Sequence, residues 1–168
     1  MRKVGFLTRR KYTGIKTLHR FILSYLIYKI QGILVHTYIV FLKDGIEYVR
    51  EMEYNGVRII TYEEYKKLYG DRIIYEINLP NNKYIEIFDN YCYTNKVNYD
   101  FISLFITFPI KFLFHLTISK NTNYQRSCSE DSSRCINILL YKIIKDPENT
   151  SPVKLYKILI ENDTNTQQ

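Results

Sequence analysis

Val35-His36-Thr37-Tyr38-Ile39-Val40-Phe41-Leu42-Lys43-Asp44-Gly45-Ile46-Glu47-Tyr48-Val49-Arg50-Glu51-Met52-Glu53 reads as two strands joined by a tight turn. Asp-Gly is favoured in two-residue hairpins because both positions take positive φ. Ile33–Leu42 is predicted as the outgoing strand and Ile46–Glu53 as its partner. Side chains alternate along a strand, so His36, Tyr38, Val40 and Leu42 share one face. Glu51 and Glu53 share a face of the returning strand.

The elements around this hairpin follow from periodicity and capping. Val4–Leu7 is predicted as a short strand, and Gly14–Ile30 as a helix with Ile15, Leu18, Ile22, Tyr25 and Leu26 at helical spacing. Gly56–Ile60 is a third strand of the central run. Thr61 and Glu64 form a capping box, opening a helix that should end near Gly70. Ile73–Leu79 is a strand stopped by Pro80. Helices are predicted over Asn81–Tyr93, over part of Asp100–Leu116 with a break near Pro109, over Ser129–Ile144, and from Ser151-Pro152 through Leu159. Strands in a central run with helices around them indicate an α+β domain, a small antiparallel sheet packed against helices. One domain should span residues 1–161, with 162–168 as a polar disordered tail.

Composition narrows the function classes. The 168 residues are enough for one domain with a real core, and 46% apolar content argues against disorder. The 17 Tyr, the many Ile, Lys and Asn and the absence of Trp fit an AT-rich genome, such as that of a phage or a low-GC bacterium. The formal net charge is +7, with nine Lys or Arg and no Asp or Glu from Met1 to Lys43. Such a face attracts anionic polymers or lipid, or is simply solvated. No nucleic-acid fold signature accompanies it, so no specific nucleic-acid partner is expected.

Three cysteines, Cys92, Cys128 and Cys135, are too few and too odd in number for a disulfide framework, and indicate a reducing compartment. No CxxC pair or His cluster marks a metal site. Met1–Phe6 lacks the long apolar run of a secretory signal, so the expected location is the cytoplasm or a virus particle. Phe21–Phe41 and Phe101–Ser119 are apolar but carry Lys29 and His36, and Lys111 and His115, in their interiors. Central charges are costly in a membrane span, so buried elements fit better, with peripheral membrane contact through Phe101–Ser119 as the second reading.

Chemistry concentrates on a few residues. Cys128, in Arg126-Ser127-Cys128-Ser129-Glu130, stands just before a helix candidate. A helix N-terminus stabilises a thiolate and offers main-chain N–H groups to an oxyanion. The plainer alternative is a small residue in a cap. His36 is either a base for Cys128 or a core histidine. Glu51 is either the carboxylate that orients His36 or a solvent-facing hairpin charge, with Glu53 as runner-up. His19 and His115 lie on apolar helical segments and fit the core.

Val4-Gly5-Phe6-Leu7, His36 with Ile39-Val40, Gly45, Val49-x-Glu51, Gly56-Val57, Tyr99-Asp100-Phe101, Cys128-Ser129-Glu130 and Ser151-Pro152-x-x-Leu155-Tyr156 occur in an order that resembles the circularly permuted papain-like (YiiX-like) cysteine amidases and peptidases. The resemblance covers nearly the whole chain through short motifs. It implies a permuted papain-like fold with Cys128 as nucleophile, His36 as base and Glu51 as orienting carboxylate, and it needs no metal or organic cofactor. Tyr99, Asp100 and Tyr38 would line the substrate site, or Tyr99-Asp100 would only start a helix. Substrates of related domains include cell-wall peptides, isopeptides and acyl groups. Three departures stand out: Val35 before the His, the long apolar Phe101–Tyr124, and the polar Asp131-Ser132-Ser133-Arg134 after Cys-Ser-Glu. They leave open an inactive papain-like structural or interaction module, or a basic membrane-associated or nucleic-acid-binding protein.

Overall fold

The computed structural model describes residues 1–8, 25, 29, 32–53, 55–99, 125–140 and 143–166. Their strands are β1 (Lys3–Leu7), β2 (His36–Lys43), β3 (Ile46–Glu53), β4 (Gly56–Thr61), β5 (Ile73–Asn78), β6 (Asn98–Tyr99) and β7 (Gln125–Arg126). Four described helices are α1 (Tyr62–Tyr69), α2 (Ile85–Thr94), α3 (Cys128–Leu139) and α4 (Pro152–Thr166). The fold class is α+β. Five antiparallel strands form one sheet in the order β4-β3-β2-β1-β5, and β6 and β7 make a short parallel pair.

The β2–β3 hairpin turns on Asp44 and Gly45, whose φ angles are 51° and 79°. Two positive φ values match the right-handed twist of the flanking strands, which is why Asp-Gly stands there. The turn sets the register: Lys43 faces Ile46, and counting back places Tyr38 opposite Glu51. Between β3 and β4 the same logic sets Glu53 opposite Gly56 and Glu51 opposite Arg58.

Alternation divides the sheet into two buried faces. Tyr38, Val40 and Val49 pack with Leu7 against Tyr62 and Tyr65 of α1. Those two tyrosines are three apart and lie on one helix face, while Glu63, Glu64, Lys66 and Lys67 remain exposed. The α1 start is as its sequence indicates, with the Thr61 hydroxyl accepting from the Glu64 N–H at 3.3 Å. The opposite face is larger. Val4, Phe6, Ile39 and Phe41 meet Phe88 and Cys92 of α2, Cys135, Ile136 and Leu139 of α3, and Leu155 and Leu159 of α4. Gly5 is required between β1 and its neighbour: an added Cβ would lie 1.9 Å from the Tyr38 ring.

Helix α3 docks on the sheet through charge as well as apolar contact. Arg50 is 1% exposed, and its Nε and Nη2 donate to the two carboxylate oxygens of Asp131 at 2.8 and 2.9 Å. Its Nη1 donates to the Cys92 and Asn95 carbonyls at 3.0 and 2.6 Å. One guanidinium thereby ties β3 to α3 and to the end of α2.

Several element ends differ from expectation, each for an identifiable cause. The α3 helix stops at Leu139 rather than Ile144 because the Asn137 side chain takes the Ile144 N–H and C=O, both at 2.9 Å. Helix α2 starts at Ile85 rather than Asn81. There the Asn82 side chain accepts from the Tyr84 N–H and donates to the Leu139 carbonyl, so the preceding residues form a turn. Helix α4 runs to Thr166, so residues 162–166 are not the disordered tail the polar composition indicates. Asn162 is within this helix and donates to the Ile158 carbonyl one turn back. The expected Gly14–Ile30 helix lies outside the described residues apart from Tyr25 and Lys29, both helical, and the Asp100–Leu116 and Phe101–Ser119 segments lie wholly outside them. No helix among the described residues is long and apolar enough to cross a membrane.

Arg50→Met removes the buried cation that pairs with the Asp131 carboxylate. It is expected to lower unfolding free energy by about 3–5 kcal/mol, measured by urea denaturation. The double variant Arg50→Met/Asp131→Leu removes both charges and is expected to recover most of that loss. Native-like stability of the single variant would mean that the pair does not hold α3.

Candidate functional site

Cys128 is the first residue of α3. Ser127 caps the helix, its hydroxyl accepting from the Glu130 N–H at 3.3 Å and its carbonyl from the Asp131 N–H at 3.0 Å. The N–H groups of Cys128 and Ser129 come before Asp131, whose N–H is the first to find an intrahelical acceptor, so helix geometry leaves them facing outward from the N-terminus. Cys128 is 9% exposed and sits against Met52, Val57 and Val97. The sulfur thus lies at the positive end of a helix dipole and on an apolar floor, two features that act oppositely on its charge.

His36 is the first residue of β2, at the end of the sheet, and its neighbours decide its chemistry. Its Nε2 lies 3.0 Å from Glu51 Oε2. Direct pairing puts Tyr38 opposite Glu51, so His36 reaches its carboxylate along the diagonal of the antiparallel ladder. The other side of the imidazole is the neighbour of Cys128, and each group favours the charged form of the other. With Nε2 committed to Glu51, Nδ1 is the ring nitrogen left for the sulfur.

Glu51 is 3% exposed, and four donors surround it. Besides His36, the Arg58 Nε donates to Oε1 at 2.7 Å, Arg58 Nη2 donates to the same oxygen, and the Tyr65 hydroxyl donates to Oε2 at 3.2 Å. Arg58 is held in turn by the Tyr69 hydroxyl, which accepts from its Nη2 at 2.8 Å. Both Tyr65 and Tyr69 come from α1, so that helix braces the carboxylate from one face of the sheet.

The charge states follow from this packing. Burial opposes a charged His36, but the Cys128 thiolate and the Glu51 carboxylate outweigh it and push the imidazole up to about 10. Burial likewise disfavours the Cys128 thiolate. The His36 charge and hydrogen bonding from His36 and from Thr37 overcome that, and the thiol falls below its ordinary range. Glu51, buried as it is, is held below the usual carboxylate range by His36 and Arg58. The three shifts all favour the combination of thiolate, imidazolium and carboxylate, and the groups titrate as a unit. In that state the arrangement holds a charged sulfur nucleophile beside a proton donor.

The structure brings together Cys128, His36 and Glu51, which are far apart in the chain. It places Glu53 on the rim, 3.6 Å from Arg58. Tyr38 is in the core: its ring is fully buried against Gly5 and Tyr65, and its hydroxyl donates to Glu76 at 2.6 Å. The resemblance would have Tyr38 line the substrate site, whereas its ring lies on a face of β2 that α1 covers. Tyr99 pairs with Arg126 in the β6–β7 ladder, and its side chain and all of Asp100 lie outside the described residues. Arg58, Tyr65 and Thr37 are the site neighbours that sequence reasoning passed over. Arg58 was accessible from register, since a tight turn after Glu53 sets it opposite Glu51. Tyr65 had no such signal, because its contact depends on how α1 folds back over the sheet.

Among the described residues no group of three His, Cys, Asp or Glu side chains is arranged to hold a metal ion. A scan against protein-family models finds no match to this chain, and a search of curated proteins finds none either.

Brief treatment with iodoacetamide at neutral pH, followed by peptide mapping, is expected to label Cys128 well ahead of Cys92 and Cys135. All three are buried, but burial and the neighbouring Cys135 push the Cys92 thiol well up, whereas Cys128 is drawn down by His36. Equal labelling of the three in the folded chain would contradict an activated thiol.

Proposed function

We propose that this protein is a thiol-dependent hydrolase or acyl transferase acting on an amide or ester carbonyl, of the permuted papain-like kind. The single observation carrying this reading is the juxtaposition at the α3 N-terminus: Cys128 next to His36, with His36 Nε2 3.0 Å from the buried Glu51 carboxylate. The pattern of nucleophile, base and orienting carboxylate is the one nucleophilic catalysis requires.

The chemistry assigns one task to each group. The Cys128 thiolate attacks the carbonyl carbon, and the C=O π pair moves onto oxygen. The outward N–H groups of Cys128 and Ser129 are positioned by helix geometry to receive that oxyanion. The His36 imidazolium gives its proton to the departing nitrogen or oxygen as the C–N or C–O bond breaks, leaving a thioester on Cys128. Water or another acceptor then attacks the thioester while His36 takes its proton. The C–S bond breaks and the thiolate returns. Glu51 keeps Nε2 protonated and the ring oriented throughout. No step draws on a group beyond these side chains and main-chain amides.

The pH range follows from the signs of the shifts. The reactive pair forms once Cys128 has lost its proton, below the ordinary thiol range, and persists until His36 loses its own at about 10. Covalent capture by an activity-based acylating thiol probe is expected to rise as Cys128 ionises, at a pH below the ordinary thiol range, and to fall toward pH 10. Cys128→Ala should abolish capture without unfolding the domain. Glu51→Gln should slow it by roughly a hundredfold, the lower end of the range general acid–base groups supply, and Glu53→Gln should do little. Native chain that fails to react, or a Glu53→Gln effect larger than that of Glu51→Gln, would sink this assignment. The first result would favour a papain-like domain without activity.

A further inference from the structure

The polar run Asp131-Ser132-Ser133-Arg134 is unusual after the nucleophile, yet its first three residues are buried. Asp131 pairs with Arg50, the Ser133 hydroxyl donates to the Ser129 carbonyl at 2.6 Å, and Arg134 bonds Glu130 and Glu148. Ser132 is different: its hydroxyl reaches across to β2, where Ser132 Oγ and Thr37 Oγ1 lie 3.0 Å apart, both buried. Thr37 follows His36 in the chain, and Ser132 is one helical turn beyond Cys128. The two hydroxyls therefore sit between the base and the helix that carries the nucleophile.

A pair of hydroxyls has two protons and makes one mutual hydrogen bond, so one proton must find another acceptor. A buried O–H left without an acceptor is costly. The sulfur of Cys128 is beside Thr37, and hydrogen bonding from the Thr37 main chain and side chain favours its charged form. A thiolate can only accept. The proton order that satisfies all three atoms runs from the Ser132 O–H to the Thr37 oxygen, and from the Thr37 O–H to the sulfur.

Resting on the hydrolase reading above, we infer that Thr37 is a thiolate-stabilising residue of this site and that Ser132 is a positioning residue that orders the Thr37 hydroxyl toward Cys128. His36 is the charged neighbour of the sulfur; Glu51 and Arg58 lie behind the imidazole, and on the sulfur's own helix Glu130 pairs with Arg134 and Asp131 with Arg50. None of them is altered by removing a hydroxyl from Thr37 or Ser132, so these substitutions isolate the hydrogen bond from the surrounding charge.

The experiment is the pH dependence of Cys128 alkylation by iodoacetamide in the full chain, read by peptide mapping, for the native protein and for Thr37→Val, Thr37→Ser and Ser132→Ala. Circular dichroism and thermal midpoints report folding. Thr37→Val is expected to move the Cys128 inflection upward by about half to one unit, a roughly threefold to tenfold loss of thiolate below the inflection. Thr37→Ser should restore the native curve, and Ser132→Ala should shift it upward by less than Thr37→Val. If the native inflection is low and the folded Thr37→Val curve superimposes on it, this inference fails while the hydrolase reading stands. If the native inflection lies at the ordinary thiol value of about 8.5, both fail. If Thr37→Val does not fold, Ser132→Ala decides: an upward shift supports the ordered pair, and an unchanged curve overturns it.

Discussion

Arg50 and Glu51 are consecutive residues of one strand, and both are buried, on opposite faces of the sheet. Burying a charge is costly unless a partner and hydrogen bonds compensate it, and a strand that buries one on each face imposes that demand twice. The rest of the structure answers it. On one face Asp131 meets Arg50, which fixes where α3 lies on the sheet. On the other face His36, Arg58 and Tyr65 converge on Glu51, which fixes the imidazole. Since Cys128 begins the helix that Asp131 belongs to, the two demands together position the sulfur and the imidazole. A single strand, β3, therefore aligns both halves of the candidate site.

This arrangement explains why the polar residues after Cys128 coexist with an intact constellation. In an isolated helix, Asp131, Ser132 and Ser133 would look like a solvated turn. In the fold Asp131 and Ser132 bond to β3 and β2, and the buried Ser133 hydroxyl bonds back to the Ser129 carbonyl of its own helix. The helix is held on its sheet by directional bonds near Cys128 and by apolar packing of Cys135, Ile136 and Leu139 further along. Directional bonds near the Cys128 sulfur restrict rotation of the helix start. Apolar contacts further away tolerate small shifts. That division suits a site whose geometry must be kept to fractions of an ångström.

The hairpin was the most legible part of the chain because several levels agreed on it: Asp-Gly at the turn, β-branched and aromatic residues at alternate positions, and a matching partner strand. The Thr61 cap and the helix after it were equally clear. Reading weakened where a side chain made a nonlocal bond to main chain. Asn137 ends α3 by holding Ile144, and Asn82 delays α2 by turning to α3, and neither bond has a local pattern. Tyr38 shows the reverse problem. Alternation put it correctly on the His36 face, but alternation does not say what covers that face, and α1 does.

Sequence alone determined the strand order of the hairpin, the presence of a helix directly after Cys128 and the candidate residues for nucleophile, base and carboxylate. Those are local matters of periodicity, turn chemistry and capping. From the residues themselves Glu53 stayed the runner-up to Glu51, because residues two apart on a strand share a face, and only the family resemblance favoured Glu51. Simple cross-strand counting would even put His36 opposite Glu53. Only the tertiary structure decided for Glu51: Arg58 stands directly across from it on β4, Tyr65 closes over it from α1, and His36 turns along the diagonal toward the one carboxylate buried deeply enough to need three partners. The physical reason is desolvation. It acts on a side chain according to what the whole fold packs around it, which a linear pattern does not contain.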